Sequence, residues 1–137
     1  MGHARVRDIM PDTMVTVSEG DRLSTVEDIM RLGRVRHMPV VRAGTLVGVV
    51  SERDLLRASL SSLTDFKTDT HRAFLHGVEI AKVMSTPAIV IHPEADVEDA
   101  ARQMADDKIG CLPVVDSDVL IGLITETDVL RYFAHHV

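Results

Sequence analysis

The chain contains two copies of one sequence pattern, which align without a gap from residues 6–57 to residues 80–131. At this constant offset Pro39-Val40-Val41 matches Pro113-Val114-Val115, and Gly48 matches Gly122. Chance does not hold such motifs in register over so long a stretch, so the repeat is the first constraint on the fold. Each copy is too short to bury a stable core alone, and we expect the two copies to bury their sheets against each other.

Each copy predicts the element order β-α-β-β-α, which is an α+β fold class. Residues 15–17 and 88–91 are rich in β-branched side chains and predict the first strand. The helix that follows carries apolar residues at helical spacing, and Asp21 and Asp96 are expected near its start as partners for free N–H groups. Strands over 38–41 and 46–50, and over 112–115 and 119–124, predict two hairpins, and Ser51 and Thr125 begin the last helix.

The repeats set the predicted domain organisation. We expect one repeat over residues 6–57, a linker over 58–79 and a second repeat over 80–134. The linker has no counterpart elsewhere and mixes polar residues with Phe66, Phe74 and Leu75. This composition predicts an ordered segment, partly helical around residues 71–76, that packs on the pair or on a partner subunit.

Charge and composition exclude several classes of protein. The formal net charge of −6 argues against nucleic acid as the main partner, because phosphate binding needs a basic face. No run of about 18 apolar residues is present, so no membrane partner is expected. The N-terminus lacks the apolar core of a signal peptide, and the single Cys111 excludes an internal disulfide framework. These features predict a cytoplasmic protein.

In the first copy the repeated motifs read Val-Arg-Asp-Ile-Met-Pro, then Met-Pro-Val-Val, then Leu-Val-Gly-Val-Val-Ser-Glu-Arg-Asp-Leu. These motifs resemble the cystathionine-β-synthase (CBS) domain. Two such domains in tandem resemble a Bateman module, and the resemblance covers both repeats. It implies two CBS repeats packed sheet to sheet with pseudo-two-fold symmetry and clefts between the sheets. It also implies association of two modules into a homodimer.

The same resemblance implies a regulatory protein that is not an enzyme. The clefts are expected to hold an adenosine-containing small molecule, with AMP, ADP, ATP or S-adenosylmethionine as candidate ligands and no required cofactor. Since no effector domain is attached in this sequence, we expect the regulated effector protein to be another chain.

A hydroxyl residue followed three positions later by aspartate marks the start of the last helix in each copy. The pairs are Ser51 with Asp54 and Thr125 with Asp128. A helix N-terminus favours a nearby anion, and a carboxylate can accept hydrogen bonds from both hydroxyls of a ribose. The resemblance implies this ribose role for Asp54 and Asp128, with Ser51 and Thr125 touching phosphate or ribose. The alternative is a capping box that only stabilises the helix.

Other ligand contacts are implied by the family resemblance. Val15 and Thr16 in the first copy, and Ile89 and Val90 in the second, are expected to line an apolar adenine slot, with core packing as the alternative.

The copies diverge just before the Pro-Val-Val motif. Arg36 and His37 are expected to meet phosphates, whereas Gly110 and Cys111 offer no charge. The two clefts are therefore expected to differ, and the alternative for Arg36 and His37 is an exposed basic loop.

Enzyme and metal chemistry find little support in the motifs. No Gly-x-Ser-x-Gly or Walker loop occurs, so no catalytic residue is predicted. His71 and His76 are five apart, which misses the spacing for two ligands on one helical face, so no metal ligand is predicted. Three classes remain: a nucleotide-sensing module, a structural or dimerisation module with empty clefts, and a metal-responsive protein.

Overall fold

The computed structural model describes residues 4–61 and 68–135, and its mixture of helices and two small sheets confirms the α+β fold class. The predicted hairpins and the helices around them are confirmed. The first part of the described chain holds α1 (Val6–Ile9), β1 (Val17–Ser18), α2 (Leu23–Gly33), β2 (His37–Arg42), β3 (Thr45–Ser51), α3 (Glu52–Ser61) and α4 (Thr68–Gly77). After a 3-10 turn (Ile80–Lys82) it holds α5 (Val97–Asp107), β4 (Cys111–Asp116), β5 (Val119–Thr125) and α6 (Glu126–His135).

The described residues form two compact units whose boundaries differ from those of the sequence repeats. Residues 15–87 form one unit, called here the first-repeat unit. The described residues up to 14, together with those from 88 onward, form the second-repeat unit. Each unit therefore contains the segment that opens the other repeat: α1 lies in the second-repeat unit, and the 3-10 turn lies in the first-repeat unit.

In the second-repeat unit, backbone hydrogen bonds and a buried side chain hold α1. The Val6 N–H donates to the Ala95 carbonyl at 2.8 Å, and the Val97 N–H donates to the Ala4 carbonyl at 3.0 Å. Val6 is fully buried and belongs to a core whose other members come from the second repeat. Those members are Val97, Ala100, Met104, Leu112, Val114, Ile124 and Val129.

The first-repeat unit repeats this arrangement with the 3-10 turn. The Ile80 N–H donates to the Asp21 carbonyl at 2.9 Å, and the Leu23 N–H donates to the Val78 carbonyl at 2.9 Å. Ile80 is fully buried in a core otherwise supplied by residues 17–75. These members are Val17, Leu23, Val26, Met30, Met38, Val40, Val50, Ala58 and Leu75.

Asp21 and Asp96 lie near the starts of α2 and α5 as expected, but neither carboxylate caps its helix. Neither α2 nor α5 has a side-chain cap, and the Asp21 carboxylate instead accepts a hydrogen bond from the Ser18 N–H at 2.9 Å. The N–H of Leu23, the first residue of α2, is already bonded to the Val78 carbonyl, and the N–H of Val97, the first residue of α5, is bonded to the Ala4 carbonyl. A carboxylate cap is therefore not needed for either group.

The prediction of a strand over residues 88–91 is wrong, because two prolines stop its ladder. Ile91 forms a single parallel bridge with Val114, using its N–H to the Pro113 carbonyl and its carbonyl to the Val115 N–H. The next bonds of a parallel ladder would need N–H groups on Pro113 and Pro93, which proline lacks. In the first repeat the position of Pro93 is taken by Glu19, whose N–H donates to the Val41 carbonyl. The strand β1 therefore forms, but over residues 17–18 rather than the predicted 15–17.

The expected linker helix is present as α4, which packs on α2. Leu75 is fully buried in the first-repeat core. The Arg72 guanidinium binds Glu27 Oε1 at 2.6 Å and the two carboxylate oxygens of Asp28 at 3.1 and 2.9 Å. Residues 62–67, including Phe66, lie outside the described part of the chain.

The contact between Arg72 and Asp28 predicts a measurable titration. The hydrogen bond from Arg72 holds the pKa of Asp28 below its usual value of 3.8, with a smaller Coulombic effect of Arg31. Because the pKa of Asp28 is lowered in the folded state, this contact stabilises the fold at pH values above the ordinary pKa of aspartate. That stabilisation is lost as the pH falls through the lowered pKa. In an NMR titration, Arg72→Leu should return the pKa of Asp28 towards 3.8. Arg31→Leu is the control and should move it less, and equal shifts in the two variants would contradict the assignment.

Gly48 and Gly122 occupy equivalent strand positions, but their surroundings predict that substitution by alanine lowers the free energy of unfolding by different amounts. A Cβ at Gly48 would lie 2.9 Å from both the Met84 Sδ and the Ser85 carbonyl oxygen, and that carbonyl is fixed by a bond from the Val49 N–H. A Cβ at Gly122 would lie 2.7 Å from the Met10 Sδ, which is the movable end of a flexible side chain.

We therefore expect Gly48→Ala to lower the free energy of unfolding by about 1–3 kcal/mol, as overpacking does. Gly122→Ala should cost less, because the Met10 side chain can rotate away. Chemical denaturation of the two variants checks this order, and a larger loss for Gly122→Ala would refute it.

Candidate functional site

Three segments meet at one edge of the sheet in the first-repeat unit. The start of β2 lies beside the end of β3, with His37 paired to Ser51. The Arg36 carbonyl accepts a hydrogen bond from the Glu52 N–H at 2.8 Å, which ties the residue before β2 to the first turn of α3. Since β1 runs parallel to β2 with Val17 opposite Val40, residues 15 and 16 approach this same edge. The backbone thus brings all six site residues predicted in the first copy to one edge.

The second-repeat unit builds the same edge. Cys111 at the start of β4 pairs with Thr125 at the end of β5, and the Gly110 carbonyl accepts from the Glu126 N–H at 2.9 Å. The parallel bridge between Ile91 and Val114 directs Ile89 and Val90 towards this edge. The predicted residues of the second copy are therefore grouped in the same way.

Reciprocal hydrogen bonds fix the carboxylate of the first-repeat unit. The Asp54 Oδ2 accepts from the Ser51 N–H at 2.9 Å and from the Ser51 hydroxyl at 3.0 Å. The Asp54 N–H donates to the Ser51 Oγ at 3.1 Å. Asp54 is buried, and its Oδ1 lies 3.9 Å from the Arg57 guanidinium. The pair is a capping box, as the alternative interpretation expected.

The second-repeat unit repeats these bonds with threonine. The Asp128 Oδ2 accepts from the Thr125 N–H at 2.8 Å and from the Thr125 hydroxyl at 2.9 Å, and the Asp128 N–H donates to the Thr125 Oγ1 at 3.4 Å. Hydrogen bonds to the Oδ2 atom thus orient the carboxylates of both Asp54 and Asp128. The ligand role of these four residues stays a prediction.

The apolar residues expected to line an adenine slot lie outside the cores. Val15 is 44% exposed, Ile89 37% and Val90 45%, and Thr16 is also exposed. Core packing, the alternative for these residues, is therefore wrong for all four. The neighbouring residues Val17 and Ile91 pack in or against the cores instead.

The two edges differ in charge just before the second strand of each repeat. Arg36 is exposed and His37 is half-buried at the start of β2. At the equivalent positions Gly110 is half-buried and Cys111 is buried. The two edges thus present different side chains at this position, while the phosphate role of Arg36 and His37 and the difference between the two sites stay predictions.

A cavity beside Asp128 was missed by the sequence analysis. It has a volume of about 240 Å³ and is lined by Ile9, Asp128, Arg131, Tyr132 and His135. Four of these residues follow the helical spacing i, i+3, i+4 and i+7 on α6, which was the available sequence signal. Ile9 was not predictable as a neighbour, because α1 belongs to the other repeat in the sequence.

Among the residues that the structure describes there is neither a group of side chains suited to a metal ion nor a helix that could span a membrane. Within residues 4–61 and 68–135, no three His, Cys, Asp or Glu side chains are grouped closely enough to hold a metal ion. None of the helices in those ranges combines the length and apolar character needed to cross a bilayer.

The family is decided by a comparison with family models. The CBS domain model matches residues 6–61 and again residues 80–135. The chain belongs to the CBS domain family. As a tandem CBS pair, it carries one match over each sequence repeat.

Solved CBS structures share the fold. AcuB from Vibrio cholerae is 33% identical, with a TM-score of 0.78 over 96% of this chain and 91% of that chain. CBSX2 in complex with AMP is 29% identical, with a TM-score of 0.78 over 97% of each chain. The CBS domain pair of MJ0100, in complex with 5′-methylthioadenosine and S-adenosyl-L-methionine, is 25% identical, with a TM-score of 0.78 over 95% of this chain and 99% of that chain.

The curated relatives that match this chain differ in length. The match to YhcV of Bacillus subtilis is 29% identical over 90% of this chain and 81% of the relative. The match to MJ1404 of Methanocaldococcus jannaschii is 29% identical over 98% of this chain but spans only 33% of the relative. A homoserine O-acetyltransferase of Methanohalobium evestigatum is 28% identical over 96% of this chain, which corresponds to 24% of that enzyme.

The reciprocal cap predicts a stability effect that is independent of any ligand. Ser51→Ala and Thr125→Ala should each lower the free energy of unfolding by about 0.5–2 kcal/mol, because each removes a hydroxyl that both accepts and donates. Thr127→Ala is the matched control, since this exposed residue of α6 has no capping role. Thermal unfolding that ranks Thr127→Ala with the two cap variants would contradict this interpretation.

Proposed function

We propose that this CBS pair is a regulatory, non-catalytic module that binds an adenine nucleotide or an adenosyl ligand and signals its presence to a partner protein. The observation that carries the proposal is the duplicated sheet edge. In each unit an oriented carboxylate at a helix N-terminus lies on the same edge as exposed apolar residues. Two independent stretches of chain thus build the same combination of polar and apolar groups.

The carboxylates are suited to a ribose. The cap holds Oδ2 of Asp54 and Asp128 in both units, so the orientation of each side chain is set before a ligand arrives. The second oxygen, Oδ1, accepts no hydrogen bond from the described residues of either unit. A carboxylate oxygen accepts from hydroxyl groups through charge-assisted bonds, and vicinal sugar hydroxyls are such donors.

The apolar residues are suited to a flat base. Val15, Ile89 and Val90 supply exposed hydrophobic surface, and adenine gains by removing such surface from water. Pro39 and Pro113 lack the N–H that would pair with the carbonyls of residues 15 and 89 in a parallel ladder. Within the described residues, neither carbonyl receives a backbone ladder bond, which leaves an acceptor for an exocyclic amino group.

The comparisons support the same ligand class and a regulatory role. AMP is bound by CBSX2, and S-adenosyl-L-methionine and 5′-methylthioadenosine are bound by MJ0100, two CBS proteins of this fold. The match within a much longer homoserine O-acetyltransferase indicates that such pairs accompany catalytic chains. A module that accompanies different chains is expected to report on a metabolite rather than to transform it.

The capping geometry also favours a second candidate, a structural or dimerisation module whose sites stay empty. The reciprocal bonds between Ser51 and Asp54 explain both residues without any ligand. The two candidates differ in whether an adenosine compound binds, so one measurement separates them.

Isothermal titration calorimetry with AMP, ADP, ATP and S-adenosylmethionine tests the proposal. Asp54→Asn and Asp128→Asn keep an oxygen for the cap but replace the other acceptor with an amide donor. Each variant should weaken binding to its own unit by at least about tenfold, because a hydrogen bond to a charged group is lost.

The control is Asp21→Asn, since Asp21 also accepts a backbone N–H of a turn but lies outside the proposed site. It should leave the affinity unchanged. If the unsubstituted protein gives no heat and no thermal shift with any of the four compounds, the module with empty sites is the correct candidate.

A further inference from the structure

The cavity on α6 brings a guanidinium and an imidazole to the second-repeat unit, in which Gly110 and Cys111 replace the Arg36 and His37 of the first repeat. Arg131 and His135 line this cavity of about 240 Å³ together with Asp128. Gly110 and Cys111 lie beside the start of α6 and offer no charge to a ligand, so a charged contact in this unit has to come from another residue. The helix that presents Asp128 also presents a guanidinium and an imidazole one and two turns further on.

We propose that the second-repeat site selects adenosine ligands whose 5′ substituent contains an anionic group, with Arg131 and His135 as the contacts to that group. The inference rests on the proposed function, because it assumes that Asp128 holds the ribose. With the ribose on Asp128 and the base towards Ile89 and Val90, the 5′ substituent runs along α6 into the cavity.

The size and lining of the cavity fit part of a ligand. Whole-ligand pockets measure roughly 300–1,000 Å³, so about 240 Å³ accommodates a sugar with its charged substituent rather than a complete nucleotide. Ile9 of α1 contributes an apolar side chain to the lining.

The surroundings of the Arg131 side chain support its proposed contact to the anionic group. Within residues 4–61 and 68–135, the Arg131 guanidinium forms no ion pair or hydrogen bond, whereas the guanidinium of its counterpart Arg57 lies 3.9 Å from Asp54 Oδ1. The first repeat also has Ala58 and Ser61 where the second has Tyr132 and His135. The additional imidazole and phenol are therefore specific to the second-repeat unit.

Two kinds of anion are compatible with this chemistry, a phosphate and the carboxylate of an amino-acid tail. AMP supplies the first and S-adenosylmethionine the second, while adenosine and 5′-methylthioadenosine supply neither. Comparing the affinities of these four compounds separates the two sources. A guanidinium can pair bidentately with either anion, whereas S-adenosylmethionine also carries a sulfonium at the 5′ carbon and an ammonium in its tail.

The test is calorimetry with these four compounds on a protein whose second-repeat site is unchanged, on Arg131→Gln, on His135→Gln and on the double variant. To isolate the second-repeat site, all of them carry Asp54→Asn. Each single substitution should weaken binding of AMP, or of S-adenosylmethionine, by about tenfold and leave adenosine within about twofold. Arg57→Gln is the matched control from the other repeat and, in a protein that keeps Asp54→Asn, should change neither affinity.

The outcomes separate this inference from the proposed function. If AMP or S-adenosylmethionine keeps its advantage over adenosine in the double variant, or has no advantage in the unsubstituted site, the role of Arg131 and His135 is wrong while adenosine binding stands. If no adenosine compound binds, the proposed function itself fails. Arg131 and His135 are exposed, so unchanged thermal unfolding of the variants confirms that any loss is local.

Discussion

The exchange of short segments between the repeats is the constraint on which both units depend. Val6 and Ile80 are fully buried, and each completes a core built by the other repeat. The same segments supply carbonyls to the first N–H groups of α2 and α5. A core of this size has little surplus stability, so the loss of one fully buried aliphatic side chain is a large fraction of the total. The helices and sheets that carry the sites are held in place by this exchange.

The site edges follow from the strand directions that the cores impose. In each repeat the last strand runs antiparallel to its predecessor and delivers a hydroxyl residue to the point where that predecessor begins. The helix starts at once, so Asp54 and Asp128 lie one turn away and bond back to the hydroxyl. Pro39 and Pro113 then keep the incoming apolar segment from pairing fully with the sheet. The resulting edge combines an oriented carboxylate, exposed apolar side chains and an unpaired carbonyl.

Much of the fold was predictable because its signals are local. Short β-branched runs with a tight turn give the hairpins, and helical spacing of apolar residues gives α2 and α5. The partners of Val6 and Ile80 were not predictable, since a short apolar segment does not encode which core receives it. Asp21 and Asp96 lie near the helix starts as expected, but the carbonyls that bond the first N–H of α2 and of α5 come from outside those helices and were not predictable. The strand over residues 88–91 failed because the effect of Pro113 appears only once the strands are aligned.

The segment exchange has a consequence for how such a chain can arise. A gene that encoded one repeat would produce a polypeptide with an incomplete core and an amphipathic opening segment with no place to pack. Two identical copies of that polypeptide could satisfy each other by donating their opening segments reciprocally, which is domain swapping between subunits. Duplication and fusion of such a gene would turn the intermolecular swap into an intramolecular one. The two halves would then be free to diverge in sequence, as the Pro93 and Glu19 positions have done, without losing the mutual completion of their cores.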